Sequence, residues 1–154
     1  MTADPAELLA GPAGARLRLG LELKHAEQAM MAAKAEALRG LGLTVPQYAV
    51  LLQLAERPEG MSGAQLARGA AVTPQTMAGV LAVLEGKALI GRSPSDLHAK
   101  VLVTRLTEAG RTLLTEADAR AVGVEAALWD AFDGPERELF RVFLRRAAEA
   151  LQQS

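Results

Sequence analysis

The stretch from residue 62 to residue 110 constrains the fold of this chain more than any other part of the sequence. Residues 62–68 predict a short helix, and residues 73–87 predict a longer one after a brief turn. Two strand-like segments follow, joined by a polar loop; they are 90–93 and 101–106. A short helix, a turn, a longer helix and a two-stranded hairpin form a winged helix-turn-helix. Such a module places one helix in the major groove of DNA and a loop against the backbone or minor groove, so the sequence predicts a DNA-binding regulator.

Helix-start signals support these boundaries. Ser62 precedes Gln65 by three residues, and Thr44 precedes Gln47 in the same way. This is the spacing of a capping box, in which the two side chains each accept a hydrogen bond from the other residue's backbone N–H. Thr73-Pro74 supplies an N-cap followed by a proline at the first helical position. The sequence therefore predicts helix starts immediately after Thr44, Ser62 and Thr73.

Long helices are predicted on both sides of this central segment. Apolar residues recur every three or four positions from 13 to 39, and similar patterns follow Thr107 and Asp133. These helices are too apolar for a monomer of 154 residues to bury alone, so we expect a homodimer that matches a palindromic operator. The predicted fold class is mainly α with a small β-hairpin wing, a winged helix-turn-helix with N- and C-terminal dimerisation helices. We expect a single subunit over 1–154, with its helical dimerisation region at 13–40 and 108–154 and its DNA-binding lobe at 44–107.

Composition narrows the class of protein further. Hydrophobic residues make up 50% of the chain and aromatic residues only 3%, so the core must consist of Leu, Val and Ala, and Ala favours helices. The chain has no cysteine, which excludes disulfides and thiolate zinc sites. No apolar run reaches the ~18 residues of a membrane span, and the first residues lack the basic start and apolar core of a signal peptide. We therefore expect a soluble cytoplasmic protein with no membrane partner.

The distribution of charge favours a DNA-binding lobe more than the total charge does. The formal net charge of the whole chain is −1. Between Ser62 and Thr112, however, six basic residues face three acidic ones, so this segment carries an excess of three positive charges. Contacts with phosphates require local positive charge and not a basic whole chain. The modest excess lies where the wing and the recognition helix are predicted.

Five motifs follow one another along most of the chain. They are Leu43–Leu51 (LTVPQYAVL), Leu66–Arg68 (LAR), Val72–Met77 (VTPQTM), Val80–Arg92 (VLAVLEGKALIGR) and Leu106–Gly110 (LTEAG). In this order and spacing they resemble the MarR regulators (multiple antibiotic resistance type), over roughly residues 15–150. The resemblance implies a homodimeric winged helix-turn-helix protein that represses transcription. It also implies a small, often phenolic, ligand that binds between the lobes and lowers the affinity for DNA.

The predicted wing departs from the family pattern. Members usually carry Asp-x-Arg followed by a basic pair, and that arginine enters the minor groove. Here Asp96 fits the pattern, but His98 takes the place of the arginine, and Lys100 occupies a later basic position. We therefore expect the wing to hold DNA less firmly, or to respond to pH, because histidine changes charge between about pH 5 and 8.

Nine residues are candidates for contacts with DNA. Gln75 and Thr76 begin the recognition helix opposite its buried stripe; Gln can bond adenine at two positions, and Thr can contact a thymine methyl group. The alternative is that both only help to cap the helix. Gly79 lies on the same side and allows the helix to approach the groove. Of Arg92 and Arg105, one is expected to bind a phosphate and the other to pair with Asp96; the alternative is that they are solvated arginines of the strands. The full set is Ser62, Thr73, Gln75, Thr76, Gly79, Arg92, His98, Lys100 and Arg105.

A ligand site is expected in the cleft between the lobes. Its candidate residues are His25, Met30, Tyr48 and Met61, because a histidine can bind an acidic or phenolic compound and methionine adapts to varied shapes. The alternative is that these side chains are ordinary core or interface. No cofactor and no metal site are expected, since the only two histidines are far apart in sequence and there is no cysteine.

Two other classes of function stay open. The acidic total charge and the altered wing are compatible with a winged-helix protein-interaction module that does not bind DNA specifically, and a nearly salt-independent response to DNA would favour it. A small helical enzyme that detoxifies a bound compound is the other class. The sequence contains neither a His-Glu-x-x-His motif nor a nucleophile elbow, so we expect no enzymatic activity.

Overall fold

The computed structural model describes residues 12–153 as six helices and three short strands. The helices are α1 (Pro12–Arg39), α2 (Val45–Ala55), α3 (Gly63–Gly69), α4 (Pro74–Gly86), α5 (Glu108–Asp130) and α6 (Gly134–Gln152). The strands are β1 (Met61–Ser62), β2 (Ile90–Pro94) and β3 (Leu102–Leu106). The mainly helical fold with a β wing, predicted from the sequence, is confirmed.

The helix starts follow the capping signals of the sequence. Thr44 Oγ1 accepts from the backbone N–H of Gln47 at 3.3 Å, and Gln47 Oε1 accepts from the N–H of Thr44 at 3.2 Å. Ser62 and Gln65 form the same reciprocal pair, at 3.2 and 2.8 Å. Each pair satisfies two backbone donors that the first turn of a helix leaves free. These caps fix where α2 and α3 begin, and therefore how the two helices enter the core.

The sheet has three strands in the order β1-β3-β2, and both pairings are antiparallel. In β2 and β3, Ile90 lies opposite Leu106 and Pro94 lies opposite Leu102. The sequence predicted only these two strands. The third, β1, has two residues and pairs Met61 with Thr104. A segment this short has no alternating pattern that would distinguish it from a loop, which is why sequence analysis missed it.

The core of the described residues lies among α2, α3, α4, the inner face of the sheet and the first half of α5. Leu38, at the end of α1, is also part of it. Complete burial of a leucine side chain contributes roughly 1.5–3 kcal/mol, so this cluster supplies much of the driving force for folding. Its fully or almost fully buried members are Leu38, Val50, Leu51, Leu54, Leu66, Met77, Leu81, Leu84 and Ala117.

The apolar spacing of the sequence predicts that Tyr48, Leu51, Leu52 and Ala55 form the buried face of α2, and this prediction was wrong in part. Tyr48 and Leu51 are buried as expected, but Leu52 and Ala55 are exposed, and Leu54 is buried in their place. Helical residues follow one another at about 100° around the axis, so Leu52 lies about 160° from Leu54, on the side of the helix away from the core. The face that includes Leu54 is the one that meets α4, β3 and α5.

Helices α1, α5 and α6 extend beyond this core. α1 packs along α5, where Lys34 forms an ion pair with Glu125. Further towards its start, α1 exposes Leu19 and Leu23. α6 is strongly amphipathic, yet it buries none of its side chains, and Phe143 is 54% exposed. Within residues 12–153, no helix is both long enough and apolar enough to cross a membrane.

Candidate nucleic-acid interface

Helix α4 is the recognition helix of the predicted module, and its first turn is well anchored. Thr73 Oγ1 accepts from the backbone N–H of Thr76 at 3.1 Å and donates to Thr76 Oγ1 at 2.9 Å. Pro74 occupies the first turn, where its missing N–H costs nothing. Met77, Leu81 and Leu84 hold the opposite face in the core. The rotation of α4 about its axis is therefore fixed.

This rotation leaves the predicted contact residues of α4 facing solvent. Gln75, Thr76 and Gly79 are all exposed. A Cβ atom added to Gly79 would meet nothing within 4 Å, so packing inside this chain does not require a glycine there. Ala82 continues the same face and is exposed as well. Val83, which is 44% exposed, borders this face. The outer surface of the helix is thus lined with Gly, Ala and Val and carries Gln75 and Thr76 at its N-terminal end.

The wing is a hairpin loop with a defined conformation. The N–H of Ser95 donates to the carbonyl of Val101 at 2.7 Å, and the N–H of Val101 donates to the carbonyl of His98 at 2.9 Å. The Ser95 hydroxyl accepts from the N–H of Leu97 at 3.2 Å. Leu97, His98 and Lys100 are all exposed. Two of the predicted DNA-binding residues, His98 and Lys100, therefore lie together at the end of the hairpin.

The two wing arginines lie on opposite faces of the sheet. Arg105 faces outward beside Gly91, and its Nη1 donates to Ser93 Oγ at 3.2 Å. Arg92 lies opposite the fully buried Thr104 on the inner face and is half-buried. Its Nε is buried and has no hydrogen-bond partner among residues 12–153. Arg92 is therefore less available to a phosphate than the exposed Lys100.

The pairing of one wing arginine with an aspartate, which the sequence suggested, is not found among the ion pairs of the described residues. Asp96 is exposed at the wing and contributes to none of them. Ser62, at the start of α3, uses its oxygen to accept from Gln65. Its own O–H is not used in that bond, so both the capping interpretation and a contact with DNA stay compatible with the geometry.

The four ligand candidates have different environments. His25 is exposed on α1, Met30 is half-buried on the same helix, and Met61 is half-buried in β1. Tyr48 is buried, and its hydroxyl donates to Asp118 Oδ1 at 2.8 Å. Burial first, and then the hydrogen bond and charge of Asp118, raise the pKa of Tyr48 to about 12, because each of these disfavours the phenolate.

A cavity of about 340 Å³ lies elsewhere, between the end of α2, β3 and the start of α5. None of the four ligand candidates lines it. Leu54 and Leu114 provide apolar surface, while the side chains of Arg105 and Arg111 bring positive charge to it. Sequence analysis missed this site, although two arginines flanking the LTEAG motif were a signal for it. In the described part of the chain, no group of three or more His, Asp or Glu side chains could hold a metal ion.

Comparison with known proteins identifies the family. The model of the MarR family matches residues 41–100. The HTH-type transcriptional repressor Rv2887 of Mycobacterium tuberculosis is 36% identical over 110 residues, which cover 71% of this chain and 78% of that protein. The chain belongs to the MarR family. The transcriptional regulator HosA of Escherichia coli O111:H- is also similar, at 31% identity over 70% of this chain and 79% of its own length.

Solved structures of MarR proteins share the fold. Rv2887 in complex with DNA matches this MarR chain with a TM-score of 0.67 at 30% identity, over 84% of this chain and 96% of that one. Rv2887 in complex with salicylic acid matches with a TM-score of 0.66 at 33% identity, over 84% and 95%. CouR of Rhodococcus jostii RHA1, bound to p-coumaroyl-CoA, matches with a TM-score of 0.75 at 25% identity, over 84% and 91%. The protein is therefore a MarR-family transcriptional regulator with the winged-helix fold of that family.

Proposed function

We propose that this protein is a homodimeric repressor that binds a palindromic operator and is released from it by a small aromatic acid. The observation that carries the proposal is the outer face of α4, which presents Gln75 and Thr76 beside Gly79, Ala82 and the exposed Val83, none of them larger than valine. A helix with this surface can lie deep in the major groove and read bases with its first turn. The solved complex of the related Rv2887 with DNA supports the same role. A cytoplasmic location follows, because operator DNA is found there.

The wing supplies the second part of the proposed interface. Lys100 and His98 are exposed at the end of the hairpin and are suited to contact the phosphates or the minor groove. Arg105 is held by Ser93 on the outward face, which positions it for a phosphate. Ser62 and Thr73 begin α3 and α4, where backbone N–H groups favour an anion. We assign residues 44–107 to this DNA-binding lobe.

The proposed dimer explains why α1 and α6 expose so much apolar surface. Leu19 is 74% exposed on α1, and Phe143 and Leu139 are each 54% exposed on α6. Monomers rarely expose contiguous apolar faces of this kind, whereas a second copy of the chain would bury them. We assign 13–40 and 108–154 to the dimerisation region. The dimer sets the distance between two α4 helices, and therefore the spacing of the operator half-sites.

The proposed effector is an aromatic carboxylate, in line with the salicylic acid complex of Rv2887. The cavity between α2, β3 and α5 suits this chemistry better than the four residues suggested by the sequence. Arg111 can pair with a carboxylate, and Leu54 and Leu114 can contact an aromatic ring. A ligand there would touch both the base of the wing and the helix that leads to the dimerisation region. It would therefore change the relative position of the two α4 helices, which lowers the affinity for DNA.

Titration into labelled DNA tests this proposal. The probe is the duplex immediately upstream of the protein's own gene, measured by fluorescence anisotropy at several salt concentrations against a scrambled duplex. We expect tight, selective binding whose affinity falls steeply with salt. Gln75→Ala should reduce selectivity for the operator, whereas Lys100→Ala should weaken binding to both duplexes and flatten the salt dependence by about one unit.

The outcomes of this titration distinguish the proposed repressor from a protein-interaction module. If Gln75→Ala lowers the affinity for both duplexes equally, Gln75 does not recognise bases of the operator. Weak binding that ignores both sequence and salt, on this probe and on a library of random duplexes, would overturn the repressor function. That result would favour the protein-interaction module, which the acidic total charge of −1 accommodates.

A further inference from the structure

Leu97 is the most exposed large hydrophobic side chain among the described residues, at 86% of its surface. The other strongly exposed ones, such as Leu19, Val122 and Leu151, lie on α1, α5 or α6, which belong to the proposed dimerisation region. Leu97 has no such setting. The other residues of its loop are Ser, Asp, His, Ala and Lys, together with Val101, which is 41% exposed at the end of the loop. A dimer of the terminal helices would therefore not account for it.

The backbone holds Leu97 in place. Its own N–H donates to the Ser95 hydroxyl at 3.2 Å, and the bonds between Ser95, His98 and Val101 close the loop on both sides of it. The side chain is thus presented from a preset turn and not from a free loop. A partner that buries it has little backbone entropy to remove, so most of the gain from burial appears as affinity. A single exposed leucine is ordinary in a folded protein. The fixed position of Leu97 at the tip of the wing is what suits it to a specific partner.

We propose that Leu97 enters the minor groove of the operator and selects base pairs without a guanine amino group. The inference rests on the proposed function, which places the wing against DNA. Phosphates offer nothing to an apolar side chain, whereas the sugar walls and floor of the groove can bury it. A·T pairs present only acceptors there, and G·C pairs add the exocyclic N2 amino donor. An apolar side chain that covers this amino group removes it from water and returns no hydrogen bond, which is unfavourable.

Lys100 and Leu97 have separate roles at the wing. Lys100 supplies charge for the phosphates on either side of the groove, and Leu97 supplies the contact that depends on the bases. This division predicts two separate signatures. Loss of the Leu97 side chain should lower affinity without changing the number of counterions released, because no phosphate contact is lost. Loss of the Lys100 charge should lower the salt slope by about one unit and leave base preference unchanged.

The experiment uses the full-length protein and the operator fragment that it binds selectively. Hydroxyl-radical footprinting, which reports protection of the minor groove, locates the base pairs under the wing. These pairs are then made A·T, G·C or inosine·C, since inosine lacks only the N2 amino group of guanine. We expect wild type to bind the G·C duplex about tenfold more weakly than the A·T duplex and to recover on inosine·C. Leu97→Ala should bind all three with similar affinity, several-fold below wild type on A·T. Lys100→Ala is the matched control and should keep the preference.

Two results would overturn the inference while leaving the proposed function intact. One is wild type that binds the G·C and inosine·C duplexes equally well. The other is Leu97→Ala with unchanged affinity and unchanged base preference. A wild-type protein without selective binding to any duplex would instead contradict the proposed function, and the wing inference with it. Because Leu97 contributes nothing to the core, thermal unfolding of Leu97→Ala should match that of wild type and show that both proteins are folded.

Discussion

The hydroxyl of Tyr48 donates a 2.8 Å hydrogen bond to Oδ1 of Asp118, and this bond joins α2 of the winged lobe to α5. The two residues are 70 positions apart in the chain. Seven residues further along α5, Glu125 forms an ion pair with Lys34 of α1. α5 is therefore tied on one side to the proposed DNA-binding lobe and on the other to the first dimerisation helix. A change in the orientation of α5 would be passed to both.

The first prediction concerns the pH range over which the Tyr48 bond stabilises the fold. The pKa of Tyr48 is raised to about 12, above the ordinary value of about 10 in an unfolded chain. The bond therefore contributes its full stability below pH 10, and this contribution disappears as the pH rises through 12. Because Tyr48 is the only tyrosine of the chain, ultraviolet absorbance of the phenolate reports its titration directly. We expect that absorbance to appear near pH 12 in the folded protein and near pH 10 in denaturant.

The matched variant is Tyr48→Phe, which keeps the ring and removes the hydroxyl. At pH 7 it should lower the free energy of unfolding by about 1 kcal/mol, because the half-buried carboxylate of Asp118 loses its donor. Denaturant unfolding at pH 7, 10 and 12 measures the difference. The gap between wild type and variant should narrow as the pH rises; a gap that stays constant to pH 12 would contradict the assignment.

The second prediction compares two glycines of α5. A Cβ atom on Gly110 would overlap the carbonyl oxygen of Leu89, which also accepts a hydrogen bond from the N–H of Thr107. A Cβ atom on Gly123 would meet nothing within 4 Å. Gly110→Ala should therefore destabilise the protein by about 2 kcal/mol or more through overpacking against backbone. Gly123→Ala should instead stabilise it by about 0.5–1 kcal/mol through helix propensity. Thermal unfolding of the two variants measures both changes in stability, one negative and one positive.

The close approach of Gly110 to the carbonyl of Leu89 explains a motif whose physical reason is not visible in the sequence. The LTEAG stretch at residues 106–110 was recognised by its order among other motifs, but its glycine is needed because α5 begins against the backbone at the end of α4.

Capping boxes, helix periodicity and the hairpin pattern are local, so the helices and the two wing strands could be predicted from them. Strand β1 could not, because two residues gain their conformation only from pairing with Thr104 and Val103. The cavity between α2, β3 and α5 was missed for a related reason, since its lining comes from two segments that are far apart in the sequence, 54–58 and 105–115.

The third prediction uses the small outer face of α4. An alanine at Gly79 should stabilise the helix by about 0.5–1 kcal/mol, because its Cβ lies in open space and glycine weakens a helix. If α4 lies deep in the major groove, the same substitution should weaken operator binding several-fold. Gly123→Ala is the matched control, since it also replaces an exposed helical glycine with an unobstructed Cβ but lies on α5, outside the proposed DNA-binding lobe. Anisotropy titrations should show weaker binding for Gly79→Ala only; unchanged affinity in both variants would argue against close docking.

The fourth prediction tests the cavity as the effector site. Arg111 lines the cavity and donates from Nη1 to the carbonyl of Leu106 at 3.2 Å. In Arg111→Ala, the concentration of salicylate that half-releases the operator should rise about tenfold, since a charge-assisted contact with the carboxylate is lost. Arg120→Ala removes an exposed arginine of the same helix, which pairs with Glu116, and should leave the response unchanged. If the salicylate concentration for half-release rises equally in both variants, the effect comes from the general loss of positive charge and not from a binding site at Arg111.

The fifth prediction concerns the apolar face of α6. Phe143 is 54% exposed in the single chain, and a dimer that covers it cannot accommodate a buried carboxylate there. Phe143→Glu should therefore shift the protein from dimer to monomer at micromolar concentration, as measured by sedimentation equilibrium. Arg145→Glu adds the same side chain about 200° further around the helix and should leave the dimer intact. Because two linked lobes bind two half-sites far more tightly than one lobe binds one, the monomeric variant should also lose operator affinity by at least about a hundredfold. A Phe143→Glu protein that stays dimeric would place the interface on another surface of the chain.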